Sequence, residues 1–294
     1  MKIVRIKGGL GNQLFQYTFA KIIEQIAKEE VRLDFSSYKT LVNDPVRKPR
    51  LLKFNTTLQV ATQEEIDSVC LLPHRTNSLS TVYKIGIFAE NLLNRTYFFE
   101  KNREYLNPEQ LKKYNFYDGY WQSWRYYAQI SEIIKKDLTP NYCLDEKTVL
   151  TQKQMSRENS VFVGVRRGDY SKESRHYGTF TPAYYHKCME YISQRVEDPV
   201  FYVFSNDIDW CKDCLSVQDF NIHFRELEDQ VDDFEELMLM NSCKHAIIIN
   251  STYHWWGATL IDNSSKIVCC PEHWFFDVDN IDIYPNGWVR IRGE

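Results

Sequence analysis

The residue pattern with the clearest chemical use is a pair of adjacent arginines after a run of apolar residues. Residues 161–165 (VFVGV) have the composition of a buried strand, and Arg166, Arg167 and Asp169 follow at once. One guanidinium can bind a diphosphate through paired hydrogen bonds while the aspartate orients the other. For an isolated R-R-x-D pattern a surface ion pair is the more common explanation, so the pattern alone leaves both open.

A second group of polar residues follows the apolar run at 245–249. Asn250, Ser251 and Thr252 stand where a helix is predicted to begin. Their hydroxyls and the backbone N–H groups of the first turn can bind an anion, helped by the helix dipole. The alternative is ordinary capping of the helix by Ser251 or Thr252.

A glycine-rich segment follows the first predicted strand, residues 2–6. Its sequence, GGLGNQ (8–13), is neither the dinucleotide fingerprint nor a P-loop. A turn into a helix needs one glycine, whereas Gly8, Gly9 and Gly11 supply three in four positions. The excess favours close approach of the backbone to a ligand. A plain turn is the alternative.

Asp207 follows the predicted strand at 200–204, and its carboxylate can accept hydrogen bonds from the edge of a guanine base. The same residue belongs to a D-x-D pattern at 207–209, and a second such pattern occurs at 277–279. Metal-dependent sugar transferases use this pattern. Random placement of the aspartates produces about as many, so we predict no metal site from it.

The cysteines indicate a reduced protein. There are eight, but a chain of 294 residues can bury a core without disulfides, and no secretory signal opens the sequence. Cys211 and Cys214 form a C-x-x-C pair, yet the aspartates around it would raise the thiol pKa, which opposes a redox role. A zinc site that adds His223 and Cys243 lacks a second closely spaced pair.

Composition excludes several classes of protein. A formal net charge of -4 argues against a nucleic-acid binder. The longest weakly charged stretch, 246–261, is too short and too polar to cross a membrane. We therefore expect a cytoplasmic protein whose contact with the inner face of the membrane is at most peripheral. Aromatic residues are abundant at 15%, and they either fill the core or line a ligand site.

The elements that must position these residues alternate regularly in the second half. Strands are predicted near 161–165, 200–204, 221–224, 245–249 and 266–270, with helices between them, which is typical of a parallel doubly wound sheet. In the first half we predict strands at 2–6 and 31–35 and helices near 62–70, 80–93 and 123–137. The acidic stretch 226–236 is predicted to be a solvated loop and helix start. We place one domain at 1–150 and the other at 151–294.

Several segments occur in an order that resembles the bacterial α-1,2-fucosyltransferases of glycosyltransferase family 11. They are RIKGGLGNQLFQYTFA (5–20), GYWQSWRYY (119–127), VGVRRGDY (163–170), FSND (204–207), ELMLMNSCKHAIIINSTYHWWGATL (236–260) and PEHWF (271–275). The resemblance implies an α/β, GT-B-like fold of two Rossmann-like doubly wound domains facing a central cleft. The first domain would serve the acceptor and the second the nucleotide sugar.

The implied activity is inverting transfer of L-fucose from GDP-fucose to the 2-hydroxyl of a terminal β-galactoside, with neither metal nor other cofactor. The acceptor would be a galactose-terminated oligosaccharide or a lipid-linked glycan. A related glycosyltransferase with another nucleotide sugar or linkage is the alternative, and a C-x-x-C redox protein is a more distant one.

The resemblance also assigns residues. Arg166 and Asp169 are the expected catalytic residues. Donor binding is expected from Arg166, Arg167, Asp207, Asn250, Ser251, Thr252, Gly9, Gly11, Asn12 and Gln13. Acceptor binding is expected from Tyr120, Trp121, Gln122 and Trp124, for which packing in the core is an equal alternative.

Two points of the resemblance stay open. Related sequences carry a histidine before the arginines, in an H-x-R-R-x-D pattern, and this chain has Gly164 there. If that histidine contacts the nucleotide, His176 or the backbone must replace it here. No base for the acceptor hydroxyl stands out, because Asp169 is expected to pair with an arginine; Asp34, Asp118 and His176 are further options.

Overall fold

The computed structural model describes residues 1–39, 48–70, 81–101, 104–167, 180–225, 232–275 and 282–292, without the side chains of 81–84, 87 and 91. The chain divides into two units. The first comprises Met1–Tyr142 with Asn280–Tyr284, and the second comprises Cys143–Asp279 with Pro285–Glu294. The sequence contains no sign that residues near 282 return to the first unit.

The first unit is built on a parallel sheet. Its strands are β1 (Lys2–Arg5), β2 (Val31–Asp34), β3 (Gln59–Val60), β4 (Tyr97–Phe99) and β5 (Phe116–Asp118), in the order β3-β2-β1-β5-β4. All four residues of the central strand β1 are buried, as expected of a parallel strand covered by helices on both faces.

Six helices of the first unit lie in the described residues: α1 (Leu10–Ala27), α2 (Gln63–Val69), α3 (Thr81–Leu93), α4 (Pro108–Leu111), α5 (Trp124–Gln129) and α6 (Ser131–Asp137). Thr62 and Glu65 form a capping box at the start of α2. The helix predicted at 123–137 is divided at Ile130, whose backbone leaves the helical region. Short 3-10 turns occupy Ser36–Tyr38 and Arg50–Lys53.

The second unit carries a larger parallel sheet. Its strands are β6 (Asn159–Val165), β7 (Pro199–Ser205), β8 (Asn221–Phe224), β9 (His245–Ile247), β10 (Val268–Pro271) and β11 (Val289–Ile291), in the order β11-β10-β9-β6-β7-β8. If β6 is numbered 1 and the later strands follow in chain order, the sheet read from β8 to β11 has the order 3-2-1-4-5-6, which is the Rossmann order. The five predicted strands are present; the short edge strand β11 was not predicted, because three half-exposed residues leave no clear pattern.

The helix α7 (Glu146–Arg157) precedes β6. The strands of the second unit are connected by α8 (Pro182–Ser193), α9 (Ile208–Leu215), α10 (Asp233–Asn241) and α11 (Thr252–Leu260). The apolar face of α8, including Tyr185, Cys188 and Met189, packs on the sheet core. The predicted α/β class, with two Rossmann-like units, is confirmed. No helix in the described part of the chain is both long and apolar enough to span a membrane.

Candidate functional site

The strand order of the second unit brings two predicted site segments side by side. β6 and β9 are neighbours, with Val163 opposite Ile247, although 84 positions separate these residues in sequence. After β6 the chain continues to β7 on one side of this pair, and after β9 it continues to β10 on the other side. The connections that follow the two strands therefore diverge, and a crevice opens at the carboxyl ends of β6 and β9. Arg166 follows β6 at this edge, and residues 250–252 follow β9.

Arg166 is partly buried, and two titratable groups respond to its charge. The guanidinium lowers the pKa of His254 on α11, and it acts in the same direction on Glu236 of α10. For Glu236, burial has the larger effect and raises the carboxyl pKa overall. The Tyr253 hydroxyl donates a hydrogen bond of 3.0 Å to Glu236 Oε2. This edge of the sheet therefore combines a cation with a buried imidazole and a partly buried carboxyl.

Arg167 has different partners from Arg166. Its Nε lies 3.1 Å from Asp207 Oδ2, and its guanidinium stacks 4.0 Å from the centre of the Trp210 ring. Asn206 holds the backbone of Arg167 through two hydrogen bonds, of 2.9 and 3.1 Å. About a third of the Arg167 side chain is exposed, so the ion pair contributes at most about 1 kcal/mol. Asp169 and His176 lie outside the described residues.

Asp207 uses both carboxylate oxygens within the second unit. Oδ2 pairs with Arg167, and Oδ1 accepts a hydrogen bond of 3.3 Å from the backbone of Trp210, which caps α9. Its side chain is 40% exposed, so a base could still approach it. Recognition of guanine by Asp207 stays a prediction. It would require the carboxylate oxygens to accept hydrogen bonds from the base in addition to those from Arg167 and the Trp210 backbone.

The segment 250–252 makes a turn from β9 into α11. The Asn250 amide donates to the Trp274 carbonyl at 2.8 Å, which ties the turn to the segment after β10. Ser251 occupies the position of the helix cap, but its hydroxyl makes no capping hydrogen bond. The alternative of ordinary capping by the Ser251 side chain is therefore not realised.

The glycine-rich turn of the first unit needs glycine at one position for a conformational reason. Gly8 has φ of +82°, and a Cβ there would lie 2.7 Å from Asn12 Nδ2. Gly9 precedes α1, and in the described part of the chain no atom beyond its immediate neighbours lies within 4 Å of the place where its Cβ would be. Asn12 Oδ1 accepts a hydrogen bond of 2.8 Å from Gln122 Nε2. Open space at Gly9 agrees with close approach of a ligand.

Comparison with known proteins identifies the family. The sequence model described as "Glycosyl transferase family 11" matches residues 1–292. The chain belongs to glycosyltransferase family 11. Among its relatives, an α-1,2-colitosyltransferase of Escherichia coli is 31% identical, over 99% of this chain and 98% of that protein. The O-antigen biosynthesis glycosyltransferase WbnK of Escherichia coli is 30% identical, over 97% of this chain and 99% of that protein.

More distant similarities agree with this family 11 assignment. Human galactoside α-(1,2)-fucosyltransferase 1 is 30% identical, but only over 48% of this chain and 42% of its own length. A crystal structure of POFUT1 in complex with GDP-fucose matches with a TM-score of 0.51 at 13% identity, over 91% of this chain and 97% of that chain. At this identity the match concerns the fold alone, and it agrees with the predicted GT-B-like class.

One of the predicted donor-binding residues of this family 11 protein has a structural role instead. Gln13 is fully buried. Its amide nitrogen donates to the carbonyls of Gly8 at 3.1 Å and Lys48 at 2.7 Å, and its oxygen accepts from the Leu51 backbone at 2.9 Å. The amide is thus used to fasten the glycine-rich turn to the segment 48–51, and we withdraw the donor contact assigned to Gln13.

The predicted acceptor aromatics divide between core and surface. Trp121 is fully buried and stacks on Phe19 with 3.7 Å between ring centres, so the packing alternative is correct for it. Trp124 is partly exposed, and its Nε1 donates to Asp282 Oδ1 at 3.2 Å. Tyr120 is also partly exposed, with Lys7 Nζ 4.8 Å from its ring centre. Gln122 is only 7% exposed, which leaves Tyr120 and Trp124 as the better acceptor candidates.

Two of the options for a catalytic base are excluded by burial and charge pairing. Asp34 and Asp118 have no exposed surface. Arg5 bridges them, with Nε 3.2 Å from Asp34 and Nη1 2.9 Å from Asp118, and Lys7 Nζ lies 2.5 Å from Asp118. These carboxylates compensate buried cations at the carboxyl ends of β1, β2 and β5, so they are not available to a substrate.

Cys211 lacks the lowered thiol pKa that a redox site requires. All eight cysteines are free, and burial raises the pKa of Cys211 to about 11, with Asp207 adding to the rise. A thiol with a raised pKa is a poor nucleophile. Within the described ranges, no group of three or more His, Cys, Asp or Glu side chains comes together that could hold a metal ion.

Sequence reasoning missed His254 and misjudged Glu236. The acidic stretch 226–236 was predicted to be a solvated loop and helix start. The helix α10 does begin at Asp233, and residues 226–231 lie outside the described residues. Glu236, however, is partly buried and accepts a hydrogen bond from the Tyr253 hydroxyl. His254 is 5% exposed and lies against Gly164. Gly164 was the available signal, because a glycine inside a central strand marks the close approach of another group.

Proposed function

We propose that this family 11 glycosyltransferase moves L-fucose from GDP-fucose to the 2-hydroxyl of a terminal β-galactoside, forming an α-1,2 linkage with inversion at C1. The observation that carries the proposal is that Arg166 and the turn 250–252 follow neighbouring strands, β6 and β9, at the switch point of the second sheet. Nucleotides bind at such points in open parallel sheets. The relatives named for α-1,2 transfer of fucose or colitose support the linkage.

Arg166 and the start of α11 would stabilise the leaving nucleotide. As the bond from fucose C1 to the diphosphate oxygen breaks, negative charge collects on GDP. The Arg166 guanidinium supplies a charge-assisted pair of hydrogen bonds, and the first-turn N–H groups near Ser251 and Thr252 supply further donors. We propose that these groups suffice without a metal ion. Arg167, held by Asp207, would support the position of Arg166.

The acceptor oxygen forms its bond to C1 from the face opposite the diphosphate, and its proton passes to a base. Asp34 and Asp118 cannot take that proton because both are buried in ion pairs. We retain Asp169 as the proposed partner of Arg166 in catalysis. A transition state with oxocarbenium character would lessen the demand on the base, since the acceptor can lose its proton late.

A second candidate donor is an activated colitose. The E. coli α-1,2-colitosyltransferase matches nearly the whole chain. Membership of family 11 therefore does not decide whether the transferred sugar is fucose or colitose. Purified protein offered GDP-fucose and an activated colitose in competition, with a β-galactoside acceptor, separates the two. Preference for colitose would replace fucose in the proposal and keep the site.

The direct test is transfer to a panel of β-galactosides, with the linkage determined by NMR and with a parallel reaction in a metal chelator. We expect α-1,2-linked fucose in both reactions. Calorimetry with GDP and UDP tests the nucleotide, and stronger binding of UDP would refute the proposal. An acceptor panel that includes lipid-linked glycans tests our further proposal that the protein works in the cytoplasm at the membrane surface.

The variant Arg166→Ala tests the assignment of the diphosphate site. We expect loss of at least about tenfold in GDP affinity and a larger loss of turnover, because the leaving charge is greatest in the transition state. Arg195→Ala is the matched control, since Arg195 is exposed and bonds within its own turn to Tyr191. Equal activity of both variants would contradict the assignment.

A further inference from the structure

The ring of His254 occupies the space that a side chain at position 164 would fill. Gly164 lies inside β6, the central strand, and is buried. A Cβ built on Gly164 would come within 2.6 Å of His254 Cγ and Nδ1 and 2.8 Å of Cε1. Real side chains do not approach so closely. The imidazole, which arrives from the first turn of α11, therefore fills the space of a strand side chain.

The imidazole is buried without being satisfied. His254 is 5% exposed, and its Nδ1 is buried without a hydrogen-bond partner in the described residues. Burial first, and the Arg166 charge second, lower the pKa of His254 to about 3, so the ring is neutral at physiological pH. Burying this polar atom costs free energy, and binding of a ligand by the opposite edge of the ring would offset that cost.

The position of the ring relates it to the donor site. Arg166 comes two residues after Gly164, just beyond the end of β6, and its charge acts on His254, so the ring lies near the guanidinium. His254 is also the third residue of α11, two positions after Thr252. The edge of the ring that bears Nδ1 faces Gly164, so Nε2 lies on the opposite edge.

We propose that His254 is a donor-binding residue, whose Nε2–H hydrogen bonds the diphosphate of GDP beside Arg166. The proposal rests on the proposed function. A neutral imidazole adds a hydrogen-bond donor without a second charge, which leaves Arg166 as the cation. It also explains the departure at position 164: the histidine is supplied by α11 instead of β6, and only glycine on the strand leaves room for it.

Calorimetry with GDP tests the chemical role of the ring. His254→Phe keeps a planar ring of similar size and removes both nitrogens, whereas His254→Gln keeps an N–H close to the place of Nε2. We expect Phe to lower GDP affinity by at least about tenfold, equal to about 1.4 kcal/mol. Gln should bind within about threefold of the unaltered protein. If the Phe variant binds GDP normally, His254 only fills space and the proposal is wrong.

A double-mutant cycle tests whether a side chain at position 164 and the His254 ring compete for the same space. Gly164→Ala should displace the imidazole and lower GDP affinity about as much as His254→Phe, although position 164 itself touches no donor. In a His254→Ala background the same substitution should change GDP affinity by less than about twofold, because the place is then empty. If the losses of GDP affinity in the two single variants add in the double variant, the imidazole is not displaced by the new side chain and this explanation is refuted. Thermal melting of each variant confirms that only folded protein is compared.

These outcomes are distinct from those that test the function. If the unaltered protein does not bind GDP, the proposed function fails and the role of His254 fails with it. If the unaltered protein binds GDP and His254→Phe binds it equally, the proposed function stands and the role of His254 alone is refuted.

Discussion

Replacing His254 should change how stability depends on pH. The pKa of this histidine falls from 6.5 to about 3 on folding, mainly because of burial and secondly because of Arg166. Below pH 6.5 the unfolded chain therefore binds a proton that the folded chain does not, so acid favours unfolding. This destabilisation is absent well above pH 6.5 and grows as the pH falls towards 3.

The magnitude follows from the two pKa values. Between about pH 7.5 and pH 5, linkage predicts that His254 alone removes about 2 kcal/mol of stability. His254→Gln, which does not titrate, should lose about 2 kcal/mol less than the unaltered protein over this interval. Urea unfolding followed by tryptophan fluorescence at both pH values measures the difference, and the other histidines cancel in it. Parallel pH profiles would show that the imidazole is not buried as a neutral group.

Three further predictions concern other parts of the molecule. Arg5→Met should destabilise the first unit by about 3–5 kcal/mol, because it removes the cation that bridges the buried carboxylates of Asp34 and Asp118 and leaves Asp118 to Lys7; chemical unfolding measures this, and a loss below about 1 kcal/mol would contradict the pairing. Trp121→Leu should lower the melting temperature without changing the KM for the acceptor, because Trp121 is a core residue; a raised KM with normal stability would restore it as an acceptor contact. Joint replacement of Cys211 and Cys214 by Ala should preserve sugar transfer, and abolished transfer in a folded variant would reopen the redox alternative.

The two adjacent arginines show how similar residues acquire different roles. Arg167 is stacked on Trp210 and paired with Asp207, whereas the charge of Arg166 acts on His254 and Glu236. One arginine thus contacts α9, and the charge of the other acts on groups of α10 and α11. The R-R pattern was visible in the sequence, but this division of partners was not.

Local patterns were sufficient for most elements of the fold. Runs such as VFYVF and HAIII mark strands because apolar and β-branched residues repeat over a short length, and Thr181 with Pro182 marks the start of α8. Their alternation with helices predicted a parallel sheet, since each crossover must return the chain to the same end. The short strands β3, β4, β5 and β11 and the division of α5 from α6 at Ile130 are among the features that were missed, because strands of two or three residues leave no clear pattern in the sequence.

For the site, the sequence by itself determined which residues follow the strands, and parallel topology requires those positions to share one edge of the sheet. That sufficed to select Arg166 and the turn at 250–252. Burial and pairing were decided by the tertiary structure alone. Gln13, Trp121, Asp34 and Asp118 look available in the sequence but are enclosed, whereas His254 reaches Gly164 only because α11 packs beside β6. The physical reason is that side-chain type and spacing are local properties, while exposure, charge compensation and shared space depend on residues far apart in the chain.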